Sequence, residues 1–318
     1  MTFTEYFFEW MKQNKRDAVQ DVTYIKYIDH YTSLKMTTTA DNLKSKDLKD
    51  LTAADYQTII NRYAKTHERE TVKGFHYNLR AAIRDAIDEG LIFHDCTRKV
   101  ILKWKLPTIR KKAKYLSKEQ LQRLISVLDL SGNINFDYFI YLTAKTGLRF
   151  AEGLGVVPES FDFANSKLSV TQTIKYKGSL GGSGTTFART KTESSNRVIE
   201  LDKETNYVFY RAVYENDLPD GRPIFEAVFT PNGHAINKYF NRRLENRCKV
   251  AGIPAVSIHG LRHTHASLLL YADVSVYSIS KRLGHSKPSV TSNIYLHLIN
   301  EMSEEDNTKM TNVLSDLD

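Results

Sequence analysis

Hydrophobic residues recur at helical spacing through about the first 90 positions of the chain. Phe3, Tyr6, Phe7, Trp10 and Met11 predict a first helix. Val22, Ile25, Tyr27, Ile28 and Tyr31 outline a second. A third starts after Leu51, with Thr52 as its N-cap and Ile59, Ile60 and Tyr63 on one face. The Thr52 hydroxyl can accept from a first-turn N–H that has no partner within the helix. A fourth runs from about Glu68 to Glu89 and stops at Gly90, a residue suited to the left-handed position that follows a helix. Four helices with apolar faces predict a small bundle over residues 1–97.

Residues 98–114 break this pattern. Arg98, Lys99, Lys103, Lys105, Arg110, Lys111, Lys112 and Lys114 occur with no acidic residue among them, and Pro107 interrupts. Such a stretch reads as a solvated linker, as a strip that lies against phosphates, or as both in a protein that clamps DNA. A second domain opens at Ser117-Lys118-Glu119-Gln120, which fits a capping box, and helices follow to Gly147. Residues 161–201 switch to strand chemistry, with Leu168-Ser169-Val170-Thr171 and Arg197-Val198-Ile199-Glu200-Leu201 on either side of a Gly-rich segment at 178–184. That segment lacks the Gly-Lys-Ser/Thr ending of a phosphate-binding loop and reads as a hairpin tip. From about Lys203 the pattern is helical again. The expectation is a mainly α protein. It has an N-terminal helical bundle over 1–97, a basic linker over 98–114, a mostly helical domain with a small antiparallel β-sheet over 115–298, and a tail over 299–318.

Composition narrows the function class. The 318 residues are 41% hydrophobic and 26% charged, as in an ordinary globular protein. No apolar run approaches the ~20 residues that span a bilayer, so no membrane partner is expected. The start shows neither the basic n-region nor the unbroken apolar core of a signal peptide. Cys96 and Cys248 are the only cysteines, too few for a disulfide framework, and a reducing cytoplasm is the expected setting. The net charge of +8 is unevenly spread. Residues 1–114 hold 22 basic and 15 acidic residues, residues 115–298 hold 22 and 16, and residues 299–318 hold 1 and 6. The body is thus more basic than the total, which favours a polyanionic partner, and an acidic tail masks part of it.

The last third carries the chemistry. It contains His259-Gly260-Leu261-Arg262, then Gly284-His285, then Tyr295 ten residues beyond that histidine. Upstream lie Thr146-Gly147-Leu148-Arg149 with Glu152, and Arg189-Thr190-Lys191-Thr192. Arginines grip a phosphate, imidazoles accept or donate protons, and a phenol attacks phosphorus. In this order and spacing the segments resemble the tyrosine recombinases, the phage and transposon integrase family, over nearly the whole chain.

The resemblance implies a core-binding, SAM-like bundle over 1–97 and a catalytic domain over 115–298. It implies that Arg149, Lys191, His259, Arg262, His285 and Tyr295 are catalytic, with Tyr295 the nucleophile and Glu152 a supporting acid. Lys175, Lys177 and Arg189 share the hairpin with Lys191 and compete with it for its role. The implied reaction forms a 3′-phosphotyrosyl link without metal, ATP or any cofactor. Implied partners are double-stranded DNA at core-type attachment sites, three further copies of the chain in a tetramer, and accessory DNA-bending or directionality proteins in a bacterial host. Lys103, Lys105, Arg110, Lys111, Lys112 and Lys114 are the candidate DNA contacts of the linker. His263, His265 and His297 stand near His259, but the His-x-x-x-His-x-His pattern has no carboxylate at the metalloprotease position. One departure from the family pattern is Gly153-Leu154-Gly155-Val156-Val157-Pro158, where a Leu-rich helix and a Trp are more usual, and altered packing behind Arg149 is expected. A type IB topoisomerase and an inactive DNA-binding protein of the same fold are the alternatives.

Overall fold

The computed structural model describes residues 1–39, 43–105, 115–175, 186–189, 195–229, 237–285 and 289. These fall into two compact units, one within residues 1–105 and one from residue 115 onward.

The N-terminal unit consists of four helices: α1 (Phe3–Lys15), α2 (Asp21–Thr38), α3 (Ala53–Ala64) and α4 (Arg69–Asp88). Thr2 and Glu5 cap α1 reciprocally, and Thr52 caps α3 with Asp55 as its partner. Gly90 follows α4 with φ +73°, the left-handed geometry expected there. The apolar residues expected for α1, α3 and α4 meet in one core, where Phe7, Ile59, Ile60 and Phe75 are fully buried. Each such side chain contributes about 1.5–3 kcal/mol relative to exposure. Trp10 enters this core because its indole N–H finds Asp85 at 2.6 Å. Helix α2 differs from the sequence expectation. Val22 and Ile25 are only half-buried, Ile28 packs against the core, and Tyr24 and Leu34 are buried. The helix extends to Thr38, so its packing stripe runs through Tyr24, Tyr27, Tyr31 and Leu34; Tyr27 and Tyr31 meet Trp10 and Phe8 of α1. The described start of the basic stretch is tied to this unit: Gln57 brackets the Ile101 backbone, and the Lys105 N–H donates to the His67 carbonyl at 2.9 Å. Lys103 and Lys105 are exposed; Arg110, Lys111, Lys112 and Lys114 lie outside the described residues.

The second unit runs α5 (Lys118–Ser126), α6 (Phe136–Thr146), α7 (Phe150–Leu154), β1 (Phe161–Asp162), β2 (Lys167–Val170), β3 (Gln172–Lys175), β4 (Thr186–Arg189), β5 (Arg197–Glu200), α8 (Lys203–Glu215), α9 (Asn237–Val250), α10 (Ile258–Tyr271) and α11 (Val276–Leu283). Ser117 and Gln120 form the expected capping box. Antiparallel strands in the order β1-β2-β5 make one small sheet, with Leu168 opposite Ile199; β3 and β4 pair separately, with Ile174 opposite Phe187. The Gly-rich segment at 178–184 falls outside the described residues. Helix α6 is buried nearly all round and lies at the centre. Its Phe139 meets Phe150, Phe225 and Phe240 with ring centroids 4.7–5.4 Å apart. The fully buried Asp137 is held there by Arg247 of α9 and by the Asp129 N–H at 3.0 Å.

Small residues set the spacing around α7. A Cβ on Gly153 would stand 3.0 Å from the Phe139 ring, and one on Gly155 would stand 3.0 Å from the β3 backbone. The departure at 153–155 therefore lets a short helix fit between α6 and β3, and α7 begins directly after Arg149.

Helix α6 ends on Gly147 at φ +68°. A Cβ there would meet the His265 ring and the Leu283 side chain at 2.8 Å, so glycine is required by both conformation and space. His265 is buried, its Nδ1 lies 3.1 Å from the Ala144 carbonyl, and its Nε2 accepts from Arg282 Nε at 3.0 Å. This pair of bonds fixes the neutral Nδ1–H tautomer. Burial first, and then the Arg282 charge, push its pKa down to about 3. The unfolded chain takes up this proton near the ordinary 6.5, whereas the folded chain resists until about 3. Stability from this group is therefore full above pH 6.5 and is lost as pH falls toward 3, by up to about 1.4 kcal/mol per pH unit. His265→Phe keeps the ring but leaves Ala144 and Arg282 without their partner. At pH 7.5 it should lower stability by about 1–3 kcal/mol. The gap to wild type should narrow as pH is lowered to 5 in urea unfolding. A constant gap would remove His265 from the pH dependence.

Candidate active site

Two helix starts and two helix ends build the site. Ser257 caps α10 by accepting from the Gly260 N–H at 3.0 Å, which places His259 in the first turn and Arg262 one turn along. Arg149 stands at the N-cap of α7, with Glu152 at the third helical position. Helix α11 ends on Gly284, again left-handed at φ +67°, and this turn delivers His285.

The expected arginines meet at these ends. Arg149 donates to the Leu283 carbonyl at 3.2 Å and to the Gly284 carbonyl at 2.9 Å. Arg262 donates to the Gly147 carbonyl and to the same Leu283 carbonyl, both at 2.7 Å. The carbonyls that close α6 and α11 are thus the acceptors for the two guanidiniums, where a helix end favours positive charge. Arg262 is only 3% exposed, while Arg149 is partly open to solvent. Arg262 also lies 2.9 Å from His285 Nε2. A guanidinium can only donate, so His285 accepts and carries its proton on Nδ1.

Behind the arginines sits Glu152, 2% exposed. One carboxylate oxygen takes Arg149 at 2.7 Å; the other takes the Arg149 backbone N–H and the Arg197 guanidinium, each at 2.9 Å. Arg262 reaches that second oxygen only at 4.0 Å. Burial alone would raise the Glu152 pKa, but the Arg197 charge and hydrogen bond, and then Arg149, hold it at about 2. Loss of hydration first, and then the charges of Arg262 and Arg149, push His285 down to about 4. The same causes in the same order lower His259. Both imidazoles are therefore neutral near pH 7, one able to accept a proton and the other already an acceptor.

The structure brings together Arg149, Glu152, Arg262 and His285, with His259 close enough to feel both arginine charges. Its ring packs edge-to-face on His263 with centroids 4.6 Å apart. His265, on the same helix, points away into the α6 contact and uses both ring nitrogens there. Lys191 and Tyr295 lie outside the described residues, as do Lys177 and His297.

Sequence reasoning missed Arg197 and Arg282. A signal existed for the first. Alternation along β5 puts Arg197 on the same face as Ile199, which is buried, so the arginine needed an internal acid. Arg282 donates to the carbonyls of Glu200 and Lys145 as well as to His265, and so joins β5, α6 and α10. Among the described residues, no helix is long and apolar enough to cross a membrane.

Comparison with known proteins identifies the family. The model of the phage integrase family matches residues 114–302. A XerC-like tyrosine recombinase of Caldanaerobacter subterraneus subsp. tengcongensis is 27% identical over 91% of this chain and 78% of its own length. The integrase of Staphylococcus phage L54a is 26% identical over 93% of this chain and 95% of its own. In fold, the chain is similar to the Tn1549 transposon integrase solved with a circular intermediate DNA, with a TM-score of 0.72 at 20% identity, covering 92% of this chain and 94% of that one. The family match takes in every element that carries the site, and the chain belongs to the phage integrase family of tyrosine recombinases.

Proposed function

We propose that this chain is a site-specific DNA recombinase of a mobile element, which cleaves and rejoins strands through a covalent link to Tyr295. The observation that carries the reading is the convergence of Arg149 and Arg262 on the Leu283 carbonyl, beside His285 and in front of a buried carboxylate. Two forked guanidiniums suit the nonbridging oxygens of a phosphodiester, on which charge grows in the transition state.

In the proposed step the Tyr295 hydroxyl oxygen attacks phosphorus and its proton passes to neutral His259. The bond from phosphorus to the 5′-oxygen breaks, and Lys191 gives that oxygen a proton. A 3′-phosphotyrosyl link remains on the protein. Attack by a 5′-hydroxyl from another strand reverses the step and restores the phosphodiester, so rejoining needs no ATP. His285, held by Arg262, donates from Nδ1 to the phosphate. The basic residues from Lys103 to Lys114 contact the DNA backbone, and the acting form is a tetramer on paired core-type sites in a bacterial cytoplasm. Accessory DNA-bending or directionality proteins would bias integration against excision. Exchange between two duplexes separates this reading from simple topoisomerase activity.

Tyr295→Phe removes one hydroxyl and leaves the basic surface unchanged. On a nicked suicide duplex it should form no covalent adduct while binding DNA within a few-fold of wild type. A persistent adduct would move the nucleophile elsewhere. Binding should also weaken steeply with salt. If six to ten phosphates are neutralised, affinity should drop roughly 10³–10⁵-fold between about 50 and 200 mM salt. Changing Lys111, Lys112 and Lys114 together to Gln should flatten that slope, by about one unit of log K per log salt for each phosphate no longer neutralised. An unchanged slope would assign these lysines to a solvated linker.

A further inference from the structure

Arg197 opens β5 and is 5% exposed on its side chain. Its guanidinium donates to three acceptors, two of them on distant segments. Nη2 reaches Glu152 of α7 at 2.9 Å, Nε reaches the Arg282 carbonyl in the last turn of α11 at 2.6 Å, and Nη1 reaches the Ser195 carbonyl at 3.0 Å. The Arg282 carbonyl belongs to the residue just before Leu283, whose own carbonyl takes both Arg149 and Arg262. Gly284 and His285 follow directly. One buried side chain thus touches both the carboxylate that orients Arg149 and the main chain that carries the remaining acceptors.

Charge gives Arg197 a second effect. The Glu152 oxygen that it occupies at 2.9 Å is the same one that Arg262 approaches only to 4.0 Å. Without Arg197, that oxygen would keep only the Arg149 N–H as a close donor. The nearest unsatisfied attraction would then pull Arg262 toward Glu152 and away from a phosphate. With Arg197 in place, the three arginines and one carboxylate leave a surplus of two positive charges facing a substrate that carries one negative charge.

We propose that Arg197 is a positioning residue for phosphoryl transfer: it holds Glu152 and the Arg282–His285 main chain so that Arg149 and Arg262 stay oriented toward the scissile phosphate. The proposal rests on the recombinase reading above. A purely structural ion pair would lower the amount of folded protein without caring about the charge on the substrate. A positioning residue acts only through the guanidiniums, and so its effect depends on that charge.

The test compares wild type, Arg197→Met and Arg197→Lys on a nicked suicide duplex that bears a core site selected by the wild-type protein from random-sequence DNA. The scissile position is either an ordinary phosphodiester or a neutral methylphosphonate. Each protein is shown to be folded at the assay temperature by its circular-dichroism melt. On the phosphodiester, Arg197→Met should bind within about threefold of wild type but form adduct roughly 10²-fold more slowly, the scale of a small misplacement at a reacting centre. Arg197→Lys should fall between them, because an ammonium keeps the charge but cannot span three acceptors. On the methylphosphonate, the ratio of wild type to Arg197→Met should shrink to below about tenfold, since one nonbridging oxygen and one negative charge fewer are left for the guanidiniums to stabilise. Should the neutral substrate react too slowly to compare, the pH profile decides: loss of the Arg197 charge should move the acid limb of adduct formation to higher pH, as His285 and Glu152 both become easier to protonate. If Arg197→Met does not fold, Arg197→Lys carries the same comparisons. An undiminished rate would overturn the proposal, as would equal losses on both substrates or an unmoved acid limb. Absence of adduct with the wild-type protein would instead overturn the recombinase reading.

Discussion

One buried carboxylate organises the catalytic unit. Glu152 is nearly inaccessible to water, and an unpaired charge in that position would be destabilising by several kcal/mol. It is tolerated because Arg149 and Arg197 close on both its oxygens. The cost of burial therefore becomes a geometric constraint. The start of α7, the start of β5 and the last turn of α11 must stay where these guanidiniums can reach both the carboxylate and the main chain. Arg149 is held in a conformation that it would not keep as a free surface side chain, since a long side chain loses rotamer freedom when fixed. In the proposed mechanism the folding requirement and the catalytic requirement are met by the same hydrogen bonds.

The helix ends complete the arrangement. Gly147 and Gly284 both turn left-handed, and their carbonyls face the two arginines. A side chain at 147 would collide with His265 and Leu283, so the turn, the buried histidine and the arginine contact depend on one another. Arg282 ties this corner to β5 and α6 through His265 and two backbone carbonyls. The outer pair, Arg149 and Arg262, thus rests on an inner pair, Arg197 and Arg282. The inner pair holds the main chain to which the outer pair is bonded.

Much of this is legible in the sequence. Helices α1, α3 and α4 follow from apolar periodicity, and Thr52, Gly90 and Ser117 mark helix boundaries through local hydrogen-bonding rules that operate within a few residues. The group of Arg149, Glu152, His259, Arg262 and His285 is readable because short spacings such as His259 to Arg262 put reactive types on one helical turn. The rest depends on contacts across long separations. Arg197 and Glu152 are 45 positions apart, and only the fold makes them partners. The stripe on α2 does not follow its first apolar cluster, because its buried residues continue to Leu34 and Thr38. The glycines at 153 and 155 stand in the sequence only as a departure from the family pattern; in the fold they leave room for Phe139 and for the β3 backbone.

The charge on Glu152 is the cause of the geometry at the arginines. The most direct test of that claim is single-turnover adduct formation by Glu152→Gln on a suicide duplex, with DNA binding and the thermal melt recorded on the same preparation. The amide keeps the size of the side chain and one acceptor but removes the charge that two arginines share. The expected result is a folded protein that binds DNA within a few-fold of wild type and forms adduct on the order of 10²-fold more slowly. A folded Glu152→Gln variant that cleaves at the wild-type rate would contradict the claim, because the arginines would then be in place without the carboxylate.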